Sequence, residues 1–332
     1  MNPAKKATWL HQLPSTQEEV RRIAQRLAEA GFDLLIPCVK QVTGIADFQS
    51  KVASVRSEFA TWDPLLVLAE EANRLGLAVH AWSCIFPEGE HSRLLGQHPE
   101  YAAKTGPEAK PWAEDFRWAC PNRPEVQDYE AAIYQELLDR YPIAGVHLDY
   151  IRFSQGFCFC EYCQDDYRRV TGGDLTKLGF FHWNPAQAQD MDAWIEWRCG
   201  VITRFVRRIR EASRKAGREL SAAVFHYYPG GLLDIGQDWE AWVREDLLDH
   251  VFPMNYSLST GIAAKWTRNN IATLAGAGTR CRHWEGIVRP LHMTTERFTR
   301  HVRGILDTGV EGITIFEYPY LQDADLAALK GL

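Results

Sequence analysis

AEAGFDLLIPCV, residues 28–39, runs from the last turn of an amphipathic helix through a glycine into a short β-rich segment. A glycine just past a helix accepts the left-handed backbone that ends it, and the run behind it has the length and composition of a strand. The same join recurs at ANRLGLAVHAW (72–82), RKAGRELSAAVF (214–225) and LDTGVEGITIF (306–316). Helix alternating with strand in this way predicts parallel strands. The helices carry their own signals. Ser15-Thr16-Gln17-Glu18 reads as a capping box ahead of Val20, Ile23, Ala24 and Leu27 at helical spacing, with Gly31 as the stop. Phe298, Val302 and Ile305 share one face before Gly309.

Strand-like runs number eight, at 8–11, 33–39, 77–82, 144–151, 220–227, 249–256, 281–287 and 311–318. Eight strands with helical patterns between them predict an α/β fold, a single (β/α)8 TIM barrel occupying residues 1–332 as one catalytic domain. Two connections are long, 86–120 after strand three and 153–190 after strand four. Both follow strand C-termini, the face where such barrels keep their active sites. The basic run RFVRRIREASRK (204–215) interleaves with Ile202, Phe205, Val206 and Ile209, which makes it the outer surface of a barrel helix.

With 332 residues and 46% hydrophobic side chains the chain can bury a large core. Its formal net charge of −6 and lack of a dominant basic patch argue against nucleic acid or anionic membrane as partner. No run reaches the length of a membrane span, and the N-terminal stretch has no apolar signal core, so a cytoplasmic location is expected. A homo-oligomer is compatible with all of this. Twelve tryptophans are many, and Trp82, Trp112, Trp118 and Trp183 lie in polar or Gly/Pro-containing surroundings where a ring can stack on a ligand. Cys38, Cys84, Cys199 and Cys281 stand alone in apolar or amphipathic segments and read as small hydrophobes.

In GVHLDYIR (145–152) strand alternation turns Val146 and Leu148 to the helices, and His147 and Asp149 into the barrel. Asp149 then stands at the catalytic end, a costly place for a carboxylate without a task. The same reasoning in strand seven sets His283 and Glu285 on one side, taken as inward, so that Asp149 and Glu285 meet across the mouth. An acid to protonate a leaving oxygen and a base or nucleophile at the sugar carbon are what glycoside hydrolysis requires. Glu317 ranks behind Glu285, because Ile313 and Ile315 face the helices and alternation sends Glu317 with them unless the strand end bulges. His80, Trp82, Arg152, His226, Asn255, Tyr256 and Trp284 complete the candidate substrate contacts.

Cys158-x-Cys160-x-x-Cys163 follows strand four, and Cys120 precedes the helix leading into that strand. Four thiolates suit a closed, structural zinc site. Such an ion staples loops and activates no water. A competing reading, a metal-dependent hydrolase of a non-glycosidic bond, needs an open site built from His80, His147, His226 and His283; another is a sugar-binding barrel without catalysis.

WACPNRPEVQDY (118–129), AGVHLDYIRF (144–153), DWEAWVREDLLDHVFPMNYS (238–257) and GVEGITIFEY (309–318) appear in the order found in the family-10-like glycosyl hydrolases, which the chain resembles over nearly its whole length. The resemblance implies a (β/α)8 barrel, hydrolysis of a glycoside or polysaccharide, and a key role for Asp149. The cysteine spacing is similar to the zinc loop of family 42 β-galactosidases, at Cys120, Cys158, Cys160 and Cys163. This chain has Asp149 where that family has an Asn-Glu pair. The MNY of residues 254–256 resembles the corresponding strand of family 18 chitinases, although the spaced acids of their strand four are absent.

Overall fold

The computed structural model describes residues 4–104, 117–154, 157–178 and 188–332. Trp112 and Trp183, two of the expected stacking rings, lie outside the described residues, as do parts of both long loops.

All eight expected strands are present: β1 (Lys5–Leu10), β2 (Leu34–Lys40), β3 (Ala78–Cys84), β4 (Gly145–Asp149), β5 (Glu219–Phe225), β6 (His250–Met254), β7 (Arg282–Val288) and β8 (Gly312–Phe316). Each pairs in parallel with its sequence neighbours, and β1 pairs with both β2 and β8, which closes the barrel. The helices that follow them in turn are α1 (Gln17–Glu29), α2 (Pro64–Arg74), α3 (Pro124–Arg140), α4 (Ala188–Lys215), α5 (Trp239–Arg244), α6 (Thr260–Ala277), α7 (Thr295–Leu306) and α8 (Asp323–Lys330). Two very short strands, Ile45–Ala46 and Ser54–Val55, decorate the β2–α2 connection. The joins behave as expected, with Gly31 and Gly309 at φ +72° and +86°. The first helix start is one residue later than the capping-box reading: Thr16, not Ser15, accepts the backbone N–H of Glu19. Ile202, Phe205, Val206 and Ile209 of α4 are buried and Arg204, Arg207, Arg208 and Arg214 form the outer face, whereas Arg198 and Arg210 of the same helix are buried.

Outward strand residues such as Val79, Val146, Leu148, Leu220, Val251, Ile313 and Ile315 pack under the helices. Inside the barrel the filling is mostly aromatic and polar where aliphatic layers are usual. Trp9 meets Phe252 edge-on at 6.0 Å, and Phe252 stacks on Trp284 at 5.8 Å. An indole N–H can only donate, so Trp9 Nε1 donates to His147 Nε2 at 3.2 Å. That fixes the His147 proton on Nδ1, 2.9 Å from Ser221 Oγ. The Ser221 hydroxyl reaches His80 Nδ1 at 2.8 Å, and His80 Nε2 lies 3.1 Å from Glu219. Burial pulls both histidines below their usual pKa, consistent with neutral rings throughout the chain of bonds.

A second buried cluster ties the barrel to its loops. The fully buried Lys40 ammonium at the end of β2 pairs with Glu88 in the β3–α3 connection and, at 2.8 Å, with Glu130 of α3. It also donates to the Cys84 and Ile85 carbonyls at 3.0 and 2.7 Å. One cation faces two carboxyl groups. Burial, with the neighbouring Glu88, pushes Glu130 well above the carboxylate range despite the pull of Lys40. Replacing Lys40 with methionine leaves these acids without their cation, and unfolding by denaturant should show a loss of about 3–5 kcal/mol.

Candidate active site

A cleft of about 670 Å³ opens at the C-terminal ends of the strands. Its lining combines the polar His11, Asp149, Tyr150 and Arg152 with the apolar Phe225, Met254, Ile262 and Trp266. Trp82, Tyr256 and Phe316 also line it.

Asp149 ends β4, facing inward as alternation requires. The strand stops there, two residues before the expected end, because Tyr150 adopts φ +51°. A left-handed non-glycine residue is strained, and this one turns its own N–H onto Asp149 Oδ1 at 2.7 Å. Burial pushes the Asp149 pKa up to about 6; the Tyr150 N–H, the Arg152 charge and the Trp82 indole hold it from going higher. The Trp82 N–H points toward this carboxyl group without closing a hydrogen bond of good geometry.

Glu285 does not face Asp149. Trp284 takes the inward position on β7, where it stacks on Phe252 and donates to His250 Nδ1 at 2.8 Å. Gly286 is inward too, its Cα so near the Trp9 ring that a Cβ would lie 3.0 Å from it. His283 and Glu285 therefore point into the helix layer, and the inward reading of that strand is corrected. Glu285 is fully buried there, accepting from Asn255 at 2.6 Å and lying 2.6 Å from His283 and 3.4 Å from Asn270 of α6. Asn255 goes with it, donating also to the Ala263 carbonyl at 2.9 Å, so it is turned away from the cleft. Glu317 follows β8, across the barrel from β4. Its carboxylate accepts the His11 N–H at 3.0 Å. Tyr256 feels both acids: burial first, then the fields of Asp149, Tyr150 and Glu317 push its hydroxyl well above the usual range.

Trp82, Arg152, His226 and Tyr256 line the cleft. His80 and Trp284 are inward but lie deeper, Trp284 within the aromatic floor beside Phe252 and His80 below Trp82, because their strands still have several residues to run before the mouth. His226 packs against Trp266 with the rings tilted and their centres 4.0 Å apart. Trp266 and Ile262 were not legible as cleft residues, since they come from a helix and no strand-end rule finds them; His11 and Phe225 sit at strand ends and were within reach of that rule. The four histidines of the open-metal reading are dispersed: His80 and His147 in the barrel interior, His226 at the rim, His283 in the helix layer. His80, Glu219 and His250 do approach one another closely at the opposite end of the barrel. The donor Trp284 makes His250 Nδ1 an acceptor, so its Nε2 keeps its proton and has no lone pair for a metal.

Cys120, Cys158, Cys160 and Cys163 converge, with all four sulfurs within 4.8 Å of one another. Cys120 lies 3.3 Å from Cys163 and 3.5 Å from Cys160. The Lys104 N–H donates to Cys158 Sγ at 3.4 Å, and Cys160 and Cys163 stand at the start of the helix Glu161–Thr171, where the backbone favours thiolates. Cys38 and Cys84, expected to be solitary, are neighbours on β2 and β3 with sulfurs 3.8 Å apart.

Residues 4–273 match the sequence profile described as glycosyl hydrolase-like 10. The glycosyl hydrolase DigH of Escherichia coli O6:H1 is 25% identical over 223 residues, 62% of this chain and 48% of DigH, so the chain spans about half the length of the curated relatives it matches. Among solved structures, the PgaB (BpsB) glycoside hydrolase domain from Bordetella bronchiseptica has a TM-score of 0.73 at 13% identity, over 99% of this chain and 98% of that one. The β-galactosidase of the Antarctic haloarchaeon Halorubrum lacusprofundi has a TM-score of 0.72 at 12% identity, over 98% of this chain and 57% of the other. These similarities confirm the TIM barrel, and the profile match over most of its length shows that the chain belongs to the glycosyl hydrolase-like 10 family.

Proposed function

We propose that the protein hydrolyses O-glycosidic bonds of an oligosaccharide or small glycoside, with Asp149 as general acid. The observation that carries this reading is a carboxyl group at the strand-four end of an aromatic-lined cleft, its pKa pushed up to about 6, where it can hold a proton near neutral pH and give it to a leaving oxygen. Glu317 is the partner we favour as base or nucleophile, since Glu285 is engaged in the helix layer. Trp82, Tyr256 and Arg152 supply stacking and polar contacts to the sugar. The family membership supports carbohydrate as the substrate class. Among the described residues no helix is long and apolar enough to cross a membrane.

The four-cysteine cluster fits a structural zinc ion. A tetrahedron with Zn–S bonds of about 2.3 Å needs sulfurs about 3.8 Å apart, close to the spacing found. All four ligand positions are then filled by protein, so the ion would fold the loops and take no part in bond cleavage. Protein purified without added metal should contain one zinc per chain by elemental analysis; a stoichiometry near zero in fresh reduced protein would refute the site. Cys160→Ser should lower the melting temperature, because binding energy is folding energy at such a site.

Hydrolysis of an aryl-glycoside and oligosaccharide panel tests the reading directly, and a barrel that binds these sugars without cleaving them would replace it with the non-catalytic alternative. Asp149→Asn should reduce turnover at least about a hundredfold with binding retained. Glu317→Gln should give a comparable loss at unchanged stability. For Asp149 the folded pKa lies above the unfolded one, so the native state binds the proton more tightly and stability falls as pH rises from about 4 through about 6. Asp149→Asn should therefore melt higher than the parent at pH 8 and lose that advantage near pH 4.

A further inference from the structure

Arg152 sits in an aromatic enclosure. Its guanidinium carbon is 4.8 Å from the Trp118 ring centre, 5.1 Å from Tyr150 and 5.7 Å from Phe225. Tyr150 and Phe225 are cleft residues, whereas Trp118 is 5% exposed and belongs to the loop after β3, where it meets Tyr150 edge-on at 5.7 Å. The backbone around Trp118 is stitched to the cysteine cluster. Trp118 bridges Pro87, Ala119 bridges Ala102, and the Trp118 carbonyl accepts the Ala103 N–H at 2.8 Å. The next residue along, Lys104, donates to Cys158 and accepts the Phe159 N–H at 2.7 Å. Cys120 itself is two residues beyond Trp118. One short ladder of chain thus carries the sulfur cluster on one side and the cation-holding indole on the other.

We propose that Trp118 is a positioning residue whose indole face holds the Arg152 guanidinium beside the Asp149 carboxyl group, and that the cysteine-held loop holds Trp118 in turn. The physical basis is that a long, flexible arginine over aromatic faces loses its freedom to swing into solvent. A cation kept there favours the ionised carboxylate and offsets part of the effect of burial. The other titratable groups around Asp149 are Cys38 on β2, Cys84 paired with it on β3, Tyr134 on α3, the adjoining Tyr150 and Tyr256 after β6, whose hydroxyl also feels Glu317, with His11 and His226 in the same cleft. Burial pushes the Cys38 thiol and the Tyr134 and Tyr256 phenols well above their usual range, and Arg152 is the guanidinium of the set.

The test reads the Asp149 carboxyl titration by ¹³C NMR in the free protein, using Asn at position 149 to assign the signal. Trp118→Leu should raise the midpoint by ~0.5–1 unit, and Trp118→Phe, which keeps an aromatic face, should restore it. Arg152→Gln should raise it at least as far. The double variant should go no further than Arg152→Gln alone, as expected when one residue acts through the other. Trp118→Met carries the same expectation should the leucine variant fail to fold. An unchanged midpoint in folded Trp118→Leu or Trp118→Met while Arg152→Gln shifts, or additive shifts in the double variant, would overturn the proposal. The corresponding limb of the pH–turnover profile should move to higher pH whether Asp149 acts as acid or base. That arm rests on the glycosidase reading; the titration does not, so the two can fail separately.

Discussion

The bond from the Trp9 indole to His147 governs more of this barrel than its length suggests. A closed eight-stranded barrel must fill its interior, and filling it with imidazoles and indoles asks most of their ring nitrogens to find partners. Because an indole cannot accept, Trp9 sets the His147 proton, His147 makes Ser221 an acceptor, and Ser221 passes the pattern to His80 and Glu219. The same logic on the other side runs from Trp284 to His250. Two donor-only side chains thereby fix the interior tautomers, and the aromatic floor they form separates the cleft from the polar cluster at the far end.

Above that floor the balance is between burial and charge. Asp149 is drawn inward by strand alternation, and its pKa rises with burial. The strained Tyr150 supplies a hydrogen bond and the Arg152 enclosure a cation, so the rise stops at about 6. A deeper carboxyl group would hold its proton to higher pH, and one with more donors would release it at lower pH. The left-handed turn at Tyr150 and the aromatic cage around Arg152 are two local devices acting on one acid.

The barrel was legible because its signal repeats: helix, glycine and apolar run recur often enough that one misread join changes little. Asp149 was legible because Val146 and Leu148 define the outward face of β4 without ambiguity. In β7 the sequence RHWEGIV offers no such reference, as histidine and glutamate alternate with tryptophan and glycine and either set is chemically suited to the inside. The larger ring won the interior, helped by a glycine that leaves space for Trp9. The Cys38–Cys84 contact and the Lys40–Glu88–Glu130 cluster depend on register between strands and on where a long loop returns, which one-dimensional spacing does not encode. The four-cysteine cluster was the exception, since three of its members lie within six residues and only Cys120 had to be placed.

Glu285 shows how a carboxylate can bear on the cleft without entering it. Its partners are Asn255 at the end of β6, His283 on its own strand and Asn270 on α6. The residue after Asn255 is Tyr256, whose ring stands in the cleft, and α6 is also the helix that presents Ile262 and Trp266 to the apolar wall. A buried acid with three polar neighbours resists displacement, because moving any one of them leaves a charge or an amide unpaired in a dry layer. Glu285 thus joins the pieces that shape one side of the cleft, while the carboxyl group that lines it, Asp149, belongs to β4.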